Sequence, residues 1–370
     1  MKIAILEFET HTHLLLQWNA LLQNSGIDYH FYISSSISCL IPEIPDSLKT
    51  VLEVKDYPQL SDFLADNDLI IFNTLHRNFQ KFNFLFKEKN TQILVHNGNF
   101  FFNSRKPDWK LFLKVKNLHL QYYYLKLIFK ENIYFTKKII CEAKAYAFLN
   151  ENIKQHFSTD EKKYITLPLI YNKFNVEPSE QNKINIVIPG EVSQSRRNYQ
   201  LVFKLLKYLS PKQIMKFTFL GKISDQSMLQ SLHLLKKNRN NSVEISYFRE
   251  RIPQSEFDLT MNESHFVLCP LHKETQFYLQ KEIYGQTKAS GNEADCISYG
   301  KIGIFPQHYP LSNWNSLYYD SAENLKTILE NLTIQEYHKL KNNLEAQLPY
   351  YDKEKVKEKL INMLTILSQS

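Results

Sequence analysis

Two loops of this chain carry the groups needed to hold an anion. The run PGEVSQSRRNYQ leaves the apolar segment INIVIPG at Gly190, passes Glu191, and reaches Arg196 and Arg197 where a helix should begin. Guanidinium forks beside the unpaired amides of a helix N-terminus suit a phosphate or diphosphate. Adjacent arginines are also compatible with a solvated face or a contact to another domain. The second run, EIYGQTKASGNEADCISYGKIGIFP, sets Thr287, Lys288, Ser290 and Gly291 in one loop ahead of a helix. Hydroxyls, an ammonium and backbone amides can cradle a phosphate, and Asp295 can accept hydrogen bonds from ribose or sugar hydroxyls. Ser290 and Asp295 are equally the residue types of helix caps.

Histidines mark two further connections. After KIAILEF comes ETHTHLLLQW with His11 and His13, and QILVHNGNFFF sets His96 and Asn97 where a buried strand should end. A neutral imidazole at a strand end can deprotonate a hydroxyl or hold a sugar hydroxyl; it can also simply cap the next turn. No Asp-x-Asp pair of the metal-binding type stands at a strand end, so neither a metal nor another cofactor is expected.

The elements that must position these groups alternate. KIAILEF, a helix from about His13 to Gln23, YHFYIS, TVLEV, YPQLSDFLAD, LIIFNT, NFQKFNFLFK and QILVHN read as strands and helices in turn, which requires crossovers and a mainly parallel sheet. The polar stretch around Tyr171 to Lys183 has no hydrophobic period. Alternation then resumes with INIVIPG, NYQLVFKLLKYL, KFTFLG, MLQSLHLLKK, VEISYF, PQSEFDLTM, HFVLCP and IGIFP. The expected organisation is α/β: a Rossmann-like doubly wound domain over 1–172, a linker over 173–183, and a second such domain over 184–370 with a helical tail. The last helix is also able to pack back across the linker onto the first domain. Of 8 glycines, Gly190, Gly221, Gly285, Gly291, Gly300 and Gly303 fall in the second half. Gly190 and Gly221 end strands, where open α/β sheets bind ligands.

This pattern resembles the two-domain glycosyltransferases of the GT-B fold, in particular the group-1, GT4-like branch. The motifs that carry the resemblance lie between about Ile184 and Pro306: Gly190 followed by Arg197 in the place of the diphosphate-binding basic residue, FTFLG with Gly221 and Lys222, VLCP with Pro270, and the acidic helix before Gly300. In the family a Glu, seven residues and a second Glu contact the donor sugar. Here Asp295 stands at the second position, Glu293 is its rival, and the first acid is Glu282 or is missing. The resemblance implies two domains facing a central cleft, with the donor held by Gly190, Glu191, Arg196, Arg197, Gly221, Lys222, Thr287, Lys288, Ser290 and Gly291. Tyr247 and Phe248 would lie near the nucleotide base, His96 and Asp295 would be catalytic, and His11, His13 and Asn97 would meet the acceptor. It further implies transfer of a sugar from a nucleotide-sugar donor to a hydroxyl of a glycan or lipid-linked acceptor, in cell-surface polysaccharide or glycan synthesis, without a metal.

Bulk properties set the remaining bounds. The 370 residues contain 45 Lys and Arg against 38 Asp and Glu, a net charge of +7, with 43% hydrophobic and 14% aromatic residues, which excludes wholesale disorder. Cys39, Cys141, Cys269 and Cys296 lie too far apart in sequence to suggest a disulfide framework or a structural zinc site. No apolar run suits a signal peptide or a membrane span, so a cytoplasmic protein is expected. The stretch from Lys106 to Lys138 interleaves Lys with Trp109, Phe112, Tyr122, Tyr123, Tyr124 and Phe129, a composition suited to an anionic membrane surface or to a buried aromatic helix with snorkelling lysines. Two alternatives keep the same architecture: a nucleotide-sugar epimerase, and a non-enzymatic basic protein that binds nucleic acid or membrane. Nucleic acid is not the expected partner.

Overall fold

The structure, a computed structural model, describes residues 1–103, 109–114, 117–158, 163–179, 182–223, 225–237, 242–311 and 313–369. β1 (Lys2–Glu7), β2 (Asp28–Ile33), β3 (Lys49–Val51), β4 (Leu69–Phe72), β5 (Thr91–Leu94), β6 (Ala145–Phe148) and β7 (Tyr164–Thr166) form a parallel sheet in the order β3-β2-β1-β4-β5-β6-β7. Every residue of β4, β5 and β6 is buried; β4, LIIF, is accordingly a continuous apolar run, whereas β5 also buries Thr91 and Gln92. The expected strand TVLEV is shortened to its first residues, because a 3₁₀ turn over Val54–Gln59 takes the chain away from the sheet edge.

A second parallel sheet follows. It contains β8 (Ile184–Pro189), β9 (Met215–Leu220), β10 (Val243–Tyr247) and β11 (Phe266–Leu268). An intervening pair, β12 (Glu274–Phe277) and β13 (Gln280–Ile283), precedes β14 (Ile302–Pro306) and β15 (Ser316–Tyr319). Its order is β10-β9-β8-β11-β14-β15, with β12 and β13 forming a separate two-stranded ladder. Strand order reverses at β1/β4 and again at β8/β11. Such a reversal of strand order is the topological switch point beside which open α/β sheets hold ligands.

The chain divides into two compact units. One comprises Met1–Leu169, Gln276–Ala289 and Glu354–Ser370; the other comprises Ile170–Thr275 and Ser290–Lys353. The sequence places a linker over 173–183 and leaves the last helix free to pack on either domain; Gln276–Ala289 and Glu354–Ser370 group with the first unit. Periodicity reveals that a segment has an apolar stripe but not which neighbour covers it. The helix Lys353–Gln369 buries Val356, Leu360, Leu364 and Leu367 at helical spacing. Within the first unit, Asn90 Nδ2 donates to the Leu367 carbonyl at 2.7 Å and Lys357 Nζ donates to that of Gln23 at 3.1 Å.

Among the described residues no helix is long and apolar enough to cross a membrane. All four cysteines are free thiols. Leu360→Ala is expected to lower the thermal midpoint, since deleting a fully buried leucine costs roughly 2–5 kcal/mol. Differential scanning calorimetry checks this, and an unshifted midpoint contradicts the packing of this helix.

Candidate functional site

In the second unit the β8 loop and the helix Gly291–Ser298 meet. Gly190 has φ +95°, and a Cβ there would lie 2.6 Å from Arg197 Nη2. A Cβ on Gly221 would lie 2.2 Å from the Gly190 carbonyl oxygen, so two strand-end glycines let the backbone and the guanidinium stack closely. Arg197 is half-buried; Nη1 donates to the Glu191 carbonyl and Nη2 to Asn292 Oδ1, both at 3.0 Å, while its buried Nε lacks a hydrogen-bond partner. Asn292 also donates to the Pro189 carbonyl at 3.1 Å and to Asp295 Oδ2 at 3.4 Å. It thereby joins a strand end, a cation and a carboxylate.

Burial pushes the Asp295 carboxyl up to about 7, against the pull of the Arg197 guanidinium, the Asn292 amide and the Lys173 ammonium. Its rival Glu293 is buried and accepts the Tyr309 hydroxyl at 2.6 Å, and that hydroxyl in turn accepts the Ser290 N–H at 2.8 Å. Ser290 caps the helix, accepting the Asn292 N–H at 3.3 Å. Gly291, Glu191, Arg196 and Lys222 are exposed, and Phe248 is half-buried after β10.

Thr287 and Lys288 belong to the first unit. The Thr287 hydroxyl is 1% exposed and donates to Glu282 Oε2 at 2.6 Å. Glu282, itself fully buried, accepts the Phe100 N–H at 2.7 Å and the Asn99 N–H at 3.2 Å, closing the N-terminal turn of Gly98–Asn103. Gly98 N–H donates to the Thr287 carbonyl at 2.8 Å, and Lys288 Nζ donates to Asn97 Oδ1. The Thr287 hydroxyl is thus committed to this docking. Only Ala289 separates Lys288 from the cap Ser290 in the chain.

Beside Asn97 and Lys288 lies a histidine cluster at the carboxyl ends of β1, β4 and β5. The His11 and His96 rings stack with centroids 3.7 Å apart and planes 12° from parallel. His13 is exposed, with its ring 5.9 Å from that of His11. His11 Nδ1 meets Thr74 Oγ1 at 2.8 Å, and His96 Nε2 meets the Asn73 carbonyl at 2.8 Å. His76 Nδ1 lies 3.4 Å from Glu9 Oε2, and its Nε2 lies 3.3 Å from Asn97 Nδ2. Beneath them the Glu7 carboxylate, fully buried, accepts Thr74 Oγ1 and Asn73 Nδ2 at 2.6 Å each, Glu9 N–H at 2.7 Å and Thr10 N–H at 3.2 Å.

Burial takes the His96 imidazole down to about 3, aided by His76, His13 and Lys288. It also holds His11 well below its usual range, aided by repulsion between a protonated His11 and the neighbouring histidines and Lys288. Both rings are therefore neutral hydrogen-bonding groups near neutral pH. Burial raises the Glu7 carboxyl, with the Thr74, Asn73 and Glu9 N–H donors opposing. At Glu9 burial acts in the same sense but is outweighed by the His76 hydrogen bond and the His76 and Arg77 charges, which leave the carboxyl below its ordinary value. Among the described residues no group of three or more His, Cys, Asp and Glu side chains is arranged to hold a metal ion.

The expected residues therefore gather in two places: Gly190, Glu191, Arg197, Gly221, Ser290 and Asp295 in the second unit, and His11, His13, His96, Asn97 and Lys288 in the first. Sequence reasoning missed Asn292, Glu7, Thr74 and His76. A carboxylate ending the otherwise apolar strand KIAILE was the available signal for Glu7, because a buried charge there needs a built set of donors.

With a folded-state value near 7 and an unfolded one near 3.8, Asp295 loses its proton first in the unfolded chain, so its contribution to stability falls as pH rises from about 4 to 7. Asp295→Asn removes that penalty. Its thermal midpoint should equal the parent's near pH 4 and exceed it progressively up to pH 8, as read by calorimetry across that range.

No protein-family model matches the chain, and no curated protein matches it by sequence. Solved structures do. Anabaena HepE in complex with UDP-glucose superposes with a TM-score of 0.62 at 12% identity, covering 99% of this chain and 100% of that one. The lipopolysaccharide outer core galactosyltransferase WaaB gives 0.60 at 11%, covering 99% of each chain. A trehalose-6-phosphate synthase gives 0.56 at 11%, covering 100% and 99%. At such identities the likeness is one of fold: over almost its whole length the chain has the GT-B fold of these enzymes, with two Rossmann-like α/β units.

Proposed function

We propose that this protein is a glycosyltransferase that moves a sugar from a nucleotide-sugar donor to a hydroxyl of a glycan or lipid-linked acceptor, as in cell-surface polysaccharide synthesis. The observation that carries the reading is the Arg197 guanidinium, fixed by the Glu191 carbonyl and Asn292 at the first turn of Gly291–Ser298, with Asp295 one turn further along that helix. A cation and a helix N-terminus suit a diphosphate, and a carboxylate beside them suits sugar or ribose hydroxyls. The fold, shared with a structure that holds UDP-glucose, supports the same reading.

In this mechanism the bond between the anomeric carbon and the diphosphate oxygen breaks, and its electron pair leaves with the nucleoside diphosphate. The acceptor oxygen forms the new glycosidic bond and gives up its proton to solvent, while a neutral imidazole, His96 or its stacking partner His11, holds the acceptor hydroxyl by accepting its hydrogen bond. Arg197 counters the charge that grows on the leaving group, and no metal is required of the chain. The first test is a thermal-shift series with UDP, GDP, ADP, CMP and their sugars. One nucleotide family should raise the midpoint selectively, and Arg197→Ala should abolish that rise. With the selected donor, Arg197→Ala should lower turnover by about 10²-fold. Stabilisation by none of these ligands overturns the proposal.

A peripheral membrane site is part of this reading. On the described portion of the Lys106 to Lys138 stretch, Leu113 and Leu118 are 79% and 80% exposed and Phe129 is 70% exposed, with Trp109 and Tyr122 also outward. Residues 106–108 and 115–116 lie outside the described residues. Lys110, Lys126 and Lys130 accompany the apolar groups, a combination that favours anionic headgroups. Flotation with phosphatidylglycerol vesicles should exceed that with phosphatidylcholine, and Leu118→Ser with Phe129→Ser should remove the difference. Equal flotation on both lipids contradicts this site.

A further inference from the structure

We infer that Glu7 and Thr74 are positioning residues that hold His11 in the tautomer protonated at Nδ1, while the Asn73 carbonyl holds His96 in the opposite tautomer, protonated at Nε2. The assignment follows from donors that have no choice. The Trp18 indole N–H can only donate, and it lies 3.2 Å from Asn73 Oδ1. The Asn73 Nδ2 is therefore the amino group, and it donates to Glu7 Oε2. With the Glu9 and Thr10 N–H groups on Oε1, three N–H donors surround a carboxylate that must accept from all of them.

The Thr74 hydroxyl has one hydrogen, and its 2.6 Å contact to Glu7 Oε2 uses it. At its 2.8 Å contact with His11 Nδ1 the hydroxyl must then accept, so Nδ1 carries the proton and Nε2 keeps the lone pair. His96 Nε2 faces a backbone carbonyl, which only accepts, so that nitrogen is protonated and Nδ1 keeps the lone pair. Around His76, Lys288 donates to Asn97 Oδ1, which turns the Asn97 amino group toward His76 Nε2 at 3.3 Å, while His76 Nδ1 faces Glu9 Oε2 at 3.4 Å.

The stacked pair thus offers two lone-pair nitrogens and spends both of its N–H groups inward. A ligand that meets the pair finds acceptors and no donor. This selects a hydroxyl over an ether, carbonyl or phosphate oxygen, and it names the chemical class that this side of the site takes. The consequence for turnover rests on the glycosyl-transfer reading above; the tautomers do not.

The test uses the full chain labelled with ¹⁵N-histidine, with long-range ¹H–¹⁵N spectra recorded near pH 7 and assigned through His11→Gln and His96→Gln. The expected spectrum shows His11 protonated at Nδ1 and His96 at Nε2. Thr74→Val should convert His11 to a tautomer mixture, whereas Thr74→Ser should keep the parent pattern. His11 in the Nε2–H form overturns the inference on the parent protein alone, and an unaltered His11 pattern in Thr74→Val overturns the role of Thr74. With the donor selected above, Thr74→Val should lower kcat roughly tenfold or more at unchanged donor KM, with Thr74→Ser restoring it. An unchanged kcat overturns the positioning role. Should no nucleotide sugar turn over, the transfer reading fails while the spectra still decide the tautomers.

Discussion

A carboxylate buried at the end of β1 orders the whole histidine cluster. Glu7 is inaccessible to solvent, and an unsatisfied charge in that position would cost several kcal/mol. The fold surrounds it with two backbone N–H groups, an amide and a hydroxyl. Those donors come from the β1 loop and from the loop after β4, which β1/β4 pairing brings side by side. Asn73 then serves two rows at once, because its side chain satisfies Glu7 and its carbonyl anchors His96. The rings are held by groups whose own directions are already determined, which is how a site keeps its geometry without a bound ligand.

The second unit solves a related problem with the opposite charge. Arg197 can lie against the β8 turn only because glycine stands at 190 and 221, where a Cβ would collide with the guanidinium or with the neighbouring carbonyl. Asn292 then ties that cation to the Pro189 carbonyl and to Asp295. Burial leaves Asp295 poised near neutral pH despite the nearby positive charges. A carboxylate so placed exchanges protonation state with small changes in its surroundings, such as the arrival of a charged ligand.

The segment Gln276–Ala289 shows how partners distant in the chain set what a loop holds. Its residue types, Thr287 and Lys288 above all, suit a phosphate loop, and they stand just ahead of a helix N-terminus. Yet Glu282 and Thr287 spend their polar atoms on the first turn of Gly98–Asn103, and Lys288 meets Asn97. A buried Glu flanked by Thr was a cue, but the partners lie about 180 residues away, at positions no local pattern marks.

Local patterns determined much of this protein. Continuous apolar runs dictated the central strands, since a parallel sheet covered on both faces wants nothing else, and helix–strand alternation dictated two doubly wound units. The sparse glycines at 190 and 221 marked the ends of β8 and β9. Tertiary structure alone decided which unit covers the apolar stripe of Lys353–Gln369 and where Gln276–Ala289 docks. It alone decided which of Glu293 and Asp295 is tied to a tyrosine, and that Glu7 and Thr74 stand behind His11. Those outcomes depend on hydrogen bonds between residues far apart in the chain, whose energies exist only once the backbone has brought donor and acceptor to within about 3 Å.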